Sequence, residues 1–372
     1  MTSTVNMREL ALGILLDIEK GGQYSHIALA NVLDKYQYLD KKERAFLTRL
    51  TEGTLEQLIQ IDYIIDQFSK VPVRKMKPVI RCIIQSAVYQ IRYMDAIPDS
   101  AACNEAVRLA QKKGFRSLSG FVNGVLRSIS RAKDQPGRIV WPDCEKEPAA
   151  YLSVRYSIPE WMIRMWMEEF SPGSRQDFQK MEHMLQAFCQ PAPVTICTNT
   201  LYCTPQELEQ KLKAEGVTVK KSKILPCALN ISGYDHLSAL KSFQEGLFYV
   251  QDISSMLAAQ AACPKEHDFV IDVCAAPGGK SMHIAQLMHG TGRVLARDLT
   301  QRKIELIKEN VARCRVPNVE TQIWDARIPD ESNIEKADIV IADLPCSGLG
   351  VMRLYIRNTA PCNIFLYQDR NI

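Results

Sequence analysis

The chain has 372 residues, 46% of them hydrophobic and 24% charged, the balance of a globular protein long enough for two or three domains. Disordered and fibrous classes are excluded, and no apolar run reaches the roughly 18 residues of a membrane span. The net charge of +4 is carried by the N-terminal third, where residues 1–135 hold 20 Lys and Arg against 14 Asp and Glu.

The opening MTSTVNMREL passes straight into an amphipathic pattern with Arg8 and Glu9 and has none of the regions of a signal peptide. The 12 Cys are scattered without a C-x-x-C pair, and the 6 His stand apart from one another. The reading is a cytoplasmic protein with reduced thiols, no metal site and no membrane partner, and a monomer.

Residues 5–131 read as helices. Leu10, Ile14 and Ile18 share one face of the first, and the same period recurs through SHIALANVLDKY and over the longer span 39–68. Pro72 and Pro78 bracket a break, Pro98 precedes another start, and Gly114 ends that helix as a C-cap. Exposed helix faces explain Arg74, Lys75, Lys77 and Arg81, and Lys112, Lys113 and Arg116, although the same clusters suit phosphate contacts. IPDSAACNEAVRLAQ followed by FVNGVLR (Phe121 to Arg127) resembles the end of NusB-type RNA-binding domains. That resemblance, over residues 5–131, implies an all-α module that docks structured RNA.

Residues 132–154, rich in Pro and without helical period through most of their length, read as a linker. A small α+β segment is expected over 155–250. It has a helix around Trp161 and Met165, a strand PVTICT interrupted at Asn199, a helix capped by Thr204 and Glu207, and strands VTVKKSKI and ALNISGY. From residue 251 apolar strands alternate with helices, which predicts a parallel, doubly wound α/β sheet with ligands at the strand C-termini.

In that sheet FVIDVCAAPGGKS runs from an apolar strand through a small-residue turn into a helix. Gly278 and Gly279 let backbone approach a ligand, and the helix N-terminus offers N–H groups to an anion such as a carboxylate. The pattern is not a phosphate loop. Asp298 stands at the end of the second strand, about 20 residues on, where an acidic residue receives ribose hydroxyls. Asp325 closes VETQIWD as either an adenine acceptor or a plain turn residue. In the fourth segment, ADIVIADLPCSGLG, Asp343 and Cys346 share one Pro–Ser–Gly turn, and a thiol there is placed for covalent chemistry.

DVCAAPGGKS (272–281) and DLPCSGLG (343–350) resemble the RNA cytosine-C5 methyltransferases of the RsmB family, and GLFYVQDISSMLAA resembles their lead-in to the turn. The resemblance covers about residues 5–353. It implies a Rossmann-like domain over 251–372, S-adenosylmethionine as cofactor and 16S rRNA as partner. By the same resemblance the turn Cys274, Ala275, Ala276, Pro277, Gly278, Gly279 and Lys280 would cradle the cofactor's amino-acid tail. Asp298 would hold the ribose, Asp325 the adenine, and Asp343 the junction with the base. In the family one Cys attacks C6 of cytosine so that C5 accepts the methyl group, and the base must leave its stack. That thiol belongs to a later Thr-Cys motif, whereas the Cys matching Cys346 serves product release. The text after Arg353 departs from the family, the Thr-Cys motif is absent, and Cys362 is not taken as the nucleophile. The expectation is a domain truncated after its fourth strand, with family activity and a catalytically silent RNA-binding remnant as the two alternatives.

Overall fold

The computed structural model describes residues 5–21, 25–170, 175–190 and 193–345, and the chain forms two compact units that meet in sequence at Gln190 and Pro191. The first unit is helical. Helices Met7–Gly21, Ser25–Lys35, Lys41–Glu56, Leu58–Phe68, Pro78–Tyr93, Asp99–Lys112 and Ser119–Ala132 follow the apolar periodicity of the sequence. Pro78–Tyr93 is the axis of the bundle, because every residue from Cys82 to Ile91 is buried. Its polar members are satisfied. Gln85 Nε2 donates to Asp62 Oδ1 at 2.6 Å, Ser86 Oγ to Ile83 O at 3.1 Å, and Gln90 Oε1 accepts from Arg8 Nε at 2.7 Å. Gly53 permits the closest helix contact, since a Cβ there would lie 2.0 Å from Tyr89 Oη.

The long amphipathic span 39–68 is broken at Gln57 (φ −103°, ψ 16°) into two helices. The break gives the Ile59 N–H a new acceptor, Ser157 Oγ at 3.1 Å. The stretch read as a linker ends in a helix, Pro148–Tyr156, and helices Glu160–Phe170 and Arg175–Cys189 follow it within the first unit. Leu152, Ile158, Ile163, Trp166 and Leu185 form their core, and Gln60 Nε2 donates to Val154 O at 2.9 Å and Arg155 O at 3.1 Å. The compact second unit follows Gln190, while helices Glu160–Phe170 and Arg175–Cys189 pack within the first unit.

The second unit holds two four-stranded sheets. Strands β1 (Val194–Thr198), β2 (Thr218–Lys221), β3 (Ala228–Ser232) and β4 (Phe248–Val250) are antiparallel in the order β2-β3-β1-β4. Helix Pro205–Ala214 buries Leu208 and Leu212 in a core with Ile196, Leu229, Ile231 and Phe248. It opens with the expected capping box, in which Glu207 N donates to Thr204 Oγ1 at 3.2 Å and Thr204 N to Glu207 Oε2 at 2.8 Å. The short strand β4 carries no alternation of its own and becomes a strand by pairing Tyr249 with Cys197 of β1.

Strands β5 (Phe269–Asp272), β6 (Arg293–Asp298), β7 (Val319–Ile323) and β8 (Ile339–Ile341) are parallel in the order β7-β6-β5-β8. β5 and β6 are buried along nearly their whole length, as a covered parallel sheet requires. The order reverses between β5 and β8, which places a ligand crevice outside their carboxyl ends.

Asn199 ends β1 and joins the two sheets: its side chain is buried, with Nδ2 donating to Gly246 O at 2.9 Å and Cys314 O at 2.8 Å. Gly246 (φ +68°) passes so close that a Cβ would lie 1.9 Å from Arg313 O. Arg313 in turn donates to Phe243 O and Phe248 O, each at 3.0 Å, with its guanidinium 3.8 Å from the centre of the Phe243 ring.

Candidate functional site

The crevice is built on the turn between β5 and helix Gly279–Leu287. Ala275 N–H donates to Arg297 O at 2.8 Å and Gly278 N–H to Ala275 O at 2.6 Å. The Ala276–Pro277 peptide is cis, and Gly278 adopts φ +103°. These bonds fold Cys274–Gly278 back on the sheet and leave the first N–H groups of the helix, at Gly279, Lys280 and Ser281, without intrahelical acceptors. The helix N-terminus thus presents donors and a positive dipole end to the crevice.

Two buried polar groups face this turn with unused capacity. Asp272, at the end of β5, is 1% exposed and accepts from Ser281 Oγ at 2.7 Å through Oδ2. Its Oδ1 has no partner in hydrogen-bond geometry. Burial pushes the Asp272 carboxyl up to about 6, opposed by the Ser281 bond. Gln251 is buried with neither amide atom bonded, and a Cβ on Gly279 would meet its Cδ at 3.5 Å.

Three further carboxylates stand at or just past the strand ends, each matched to one cation. Asp298 is buried, takes Ala276 N–H on Oδ2 at 3.1 Å and Leu299 N–H on Oδ1 at 2.8 Å, and pairs with Lys303 Nζ at 2.9 Å. Asp343 is exposed and pairs with Lys280 Nζ at 2.6 Å. Asp325 is held by Arg327, with Nε at 2.9 Å and Nη2 at 2.6 Å, and the guanidinium pulls its carboxyl down to about 2.

Models of known families match three segments: the NusB family over residues 5–131, the RsmF/B-like ferredoxin-like domain over 158–235, and 16S rRNA methyltransferase RsmB/F over 259–358. The chain is 35% identical over 349 residues to the probable ribosomal RNA small subunit methyltransferase B of Bacillus subtilis, covering 94% of this chain and 75% of that protein. The chain belongs to the ribosomal RNA small subunit methyltransferase B family. Its similarity to the Synechocystis protein of the same description is 32% over 352 residues, 94% of this chain and 76% of that one. Among solved structures, the crystal structure of PH0851 shares the fold, with a TM-score of 0.71 at 23% identity over 95% of this chain and 78% of that chain.

In this member of the methyltransferase B family the turn residues, Asp298 and Asp343 are brought together through Ala276 and Lys280. β7 ends at Ile323, and Asp325 lies just beyond it in a tight turn, where its Oδ1 accepts from Arg327 N–H at 3.0 Å. Cys346, and Cys362 with it, lie outside the described residues. Asp272, Gln251 and Lys303 are site residues the sequence reading did not single out. Only an Asp closing an apolar strand before a glycine turn gave a signal, for Asp272. Arg297 was equally silent: it is 4% exposed, ion-paired with Asp330, and 4.9 Å from the centre of the Trp324 ring.

The N-terminal basic clusters sort themselves once folded. Arg81 is partly buried against Glu19, and Lys112 and Lys113 both pair with Glu9, at 2.6 and 3.0 Å. Arg74, Lys75, Lys77 and Arg116 are exposed. Lys77 Nζ lies 5.3 Å from the centre of the Phe115 ring, so two clusters separated in sequence form one basic surface. Three of the seven residues of FVNGVLR, Val122, Val125 and Leu126, are buried in the core, and Phe121 packs partly buried against it. No helix among the described residues is long and apolar enough to cross a membrane.

Proposed function

We propose that this chain is an S-adenosylmethionine-dependent methyltransferase acting on cytosine C5 of 16S rRNA, with the N-terminal bundle docking the RNA. The observation that carries the reading is the turn Cys274–Lys280. It sets a left-handed glycine and a helix N-terminus between two buried carboxylates, Asp272 and Asp298, with unused acceptor capacity on Asp272 and an unbonded Gln251 amide beside it. These groups fit an adenosylated amino acid. The helix N–H groups suit its carboxylate, Asp272 its ammonium group, Asp298 the ribose hydroxyls and Asp325 the adenine amino group. Bound S-adenosylmethionine supplies an electrophilic methyl group.

The remaining work falls to the chain. Lys303 and Arg327 hold Asp298 and Asp325 in place and give way to hydrogen-bond donors of the ligand. Asp343, freed from Lys280, hydrogen-bonds the extruded base, and Cys346 attends release of the methylated product. In the chemistry that the family resemblance implies, addition of a cysteine thiolate to C6 makes C5 nucleophilic towards the methyl group, and loss of the C5 proton to solvent with expulsion of the thiolate restores the ring; none of the described thiols stands in that role. The exposed Arg74, Lys75, Lys77 and Arg116 meet RNA phosphates.

The test is transfer of labelled methyl to unmodified small-subunit rRNA, with the product nucleoside identified by mass spectrometry and cofactor binding followed by calorimetry. Label in 5-methylcytidine, with cofactor binding weakened by Gly278→Ala, is the expected result. Label in another nucleoside overturns the cytosine assignment. RNA binding without cofactor binding leaves an RNA-binding module and overturns the methyltransferase reading of this chain.

A further inference from the structure

Beyond the crevice, three potential metal ligands converge in the core of the second unit. Cys197 comes from the middle of β1, Cys227 from the residue before β3, and His283 from the helix that follows the glycine turn. One ligand atom from each lies within 4.8 Å of the others, and Cys197 Sγ stands 3.2 Å from His283 Nδ1. Cys197 and His283 are almost wholly buried, and the surroundings are Val270, Met256, Met282 and Met288. Tyr249, the strand partner of Cys197, buries its hydroxyl there without a hydrogen bond.

Buried thiols as such are ordinary core side chains, and Cys314 is one example among the described residues. A tight group of two thiols, an imidazole and a buried hydroxyl, with Cys227 half-buried at its edge, is different, because it concentrates polar atoms among apolar neighbours. Tetrahedral zinc, with Zn–S of about 2.3 Å and Zn–N of about 2.0–2.1 Å, sets neighbouring ligand atoms about 3.5–3.8 Å apart. The observed spacing brackets that range. Two thiolates and a neutral imidazole around a divalent ion also form a group with no net charge, which a buried site favours.

We propose that Cys197, Cys227 and His283 bind one thiophilic divalent cation of the zinc class, with Tyr249 Oη facing the fourth position. Two sulfurs and a nitrogen select such an ion over magnesium or calcium. The ion would staple the antiparallel sheet to the helix whose N-terminus carries the cofactor turn, a structural role separate from methyl transfer. The long sequence separations hide the site, which follows none of the short ligand spacings that mark zinc in a sequence.

The experiment uses the full chain, reduced and stripped with a chelator, then titrated with Co²⁺ as a spectroscopic stand-in for Zn²⁺. One Co²⁺ per chain, with tetrahedral ligand-field bands and thiolate charge-transfer absorption that Zn²⁺ displaces, is expected. Cys197→Ser and Cys227→Ser should each lose the charge-transfer bands, while the exposed-thiol controls Cys144→Ser and Cys263→Ser keep them. Should a core variant fail to fold, the wild-type chain decides: Zn²⁺ must protect the partly exposed Cys227 from alkylation. A fully reduced wild-type chain without charge-transfer absorption overturns the proposal. So does absorption unchanged by Cys197→Ser in a folded chain, or recovery of Cys197 and Cys227 as a disulfide.

Discussion

The two adjacent glycines of the cofactor turn should respond differently to the same substitution. Gly278 has φ +103°, far from any well an L-residue prefers, and an added Cβ would stand 3.3 Å from Ile307 Cγ2. Forcing alanine into such a conformation costs about 1–3 kcal/mol, and the tight contact adds a few tenths. Gly279 is the first residue of the helix with no positive φ, and its Cβ would meet Gln251 Cδ at 3.5 Å, an ordinary contact. Gly279→Ala should therefore be neutral within about 0.5 kcal/mol, since alanine favours the helix. Gly278→Ala should destabilise the chain by about 2 kcal/mol, or relax the turn and weaken S-adenosylmethionine by up to about 30-fold, the same free energy read as affinity. Thermal unfolding and calorimetric titration of both variants separate these outcomes. Adding Ile307→Ala to Gly278→Ala should recover only the contact, leaving most of the loss, because the dihedral is unchanged. Equal effects at the two glycines, or full rescue by Ile307→Ala, would refute the reasoning.

Asn199→Ala removes two donors from buried carbonyls and should cost about 3 kcal/mol of the second unit's stability, seen as faster amide exchange around Gly246 and Cys314. Stability should also fall as pH rises between about 4 and 6. The folded chain, with Asp272 raised to about 6 by burial, keeps a proton there that the unfolded chain has released, a difference of about 3 kcal/mol. Asp272→Asn should flatten that part of the pH profile. Lys280→Met breaks an ion pair whose Asp343 side chain is 58% exposed, so the unfolding free energy from denaturant titration should change by less than about 1 kcal/mol. Replacing Arg74, Lys75, Lys77 and Arg116 together by Ala should lower the salt slope of rRNA binding by up to about 4, with Lys112→Ala changing it less because Glu9 already pairs with that lysine.

Most helices and the strand–turn–helix at 269–287 were legible in the local sequence. Apolar spacing of 3–4 residues located the N-terminal helices, Thr204 with Glu207 marked one helix start, and Gly114 (φ +86°) marked another's end. Each is a local effect of backbone sterics and nearby hydrogen bonds, so it is written in neighbouring residues. Strand–turn–helix at 269–287 was legible for the same reason, and Asp298 at a strand end followed from spacing alone.

Only the tertiary structure decided the rest. Beside the break at Gln57, Ile59 N–H finds Ser157 Oγ 98 positions on, and helices Pro148–Tyr156, Glu160–Phe170 and Arg175–Cys189 share one apolar cluster. Strand β4 exists because β1 supplies its hydrogen bonds. The same holds for charge: Arg81 is withdrawn from the basic surface by Glu19, and Lys77 joins Arg116 across Phe115. Asp343 acquires its cation only on folding, from a residue 63 positions earlier, whereas Asp298 and Asp325 pair with Lys303 and Arg327 close by in the chain. Burial, ion pairing and the meeting of Cys197, Cys227 and His283 are properties of distance in space, and a linear pattern holds that information only where chain neighbours are also spatial neighbours.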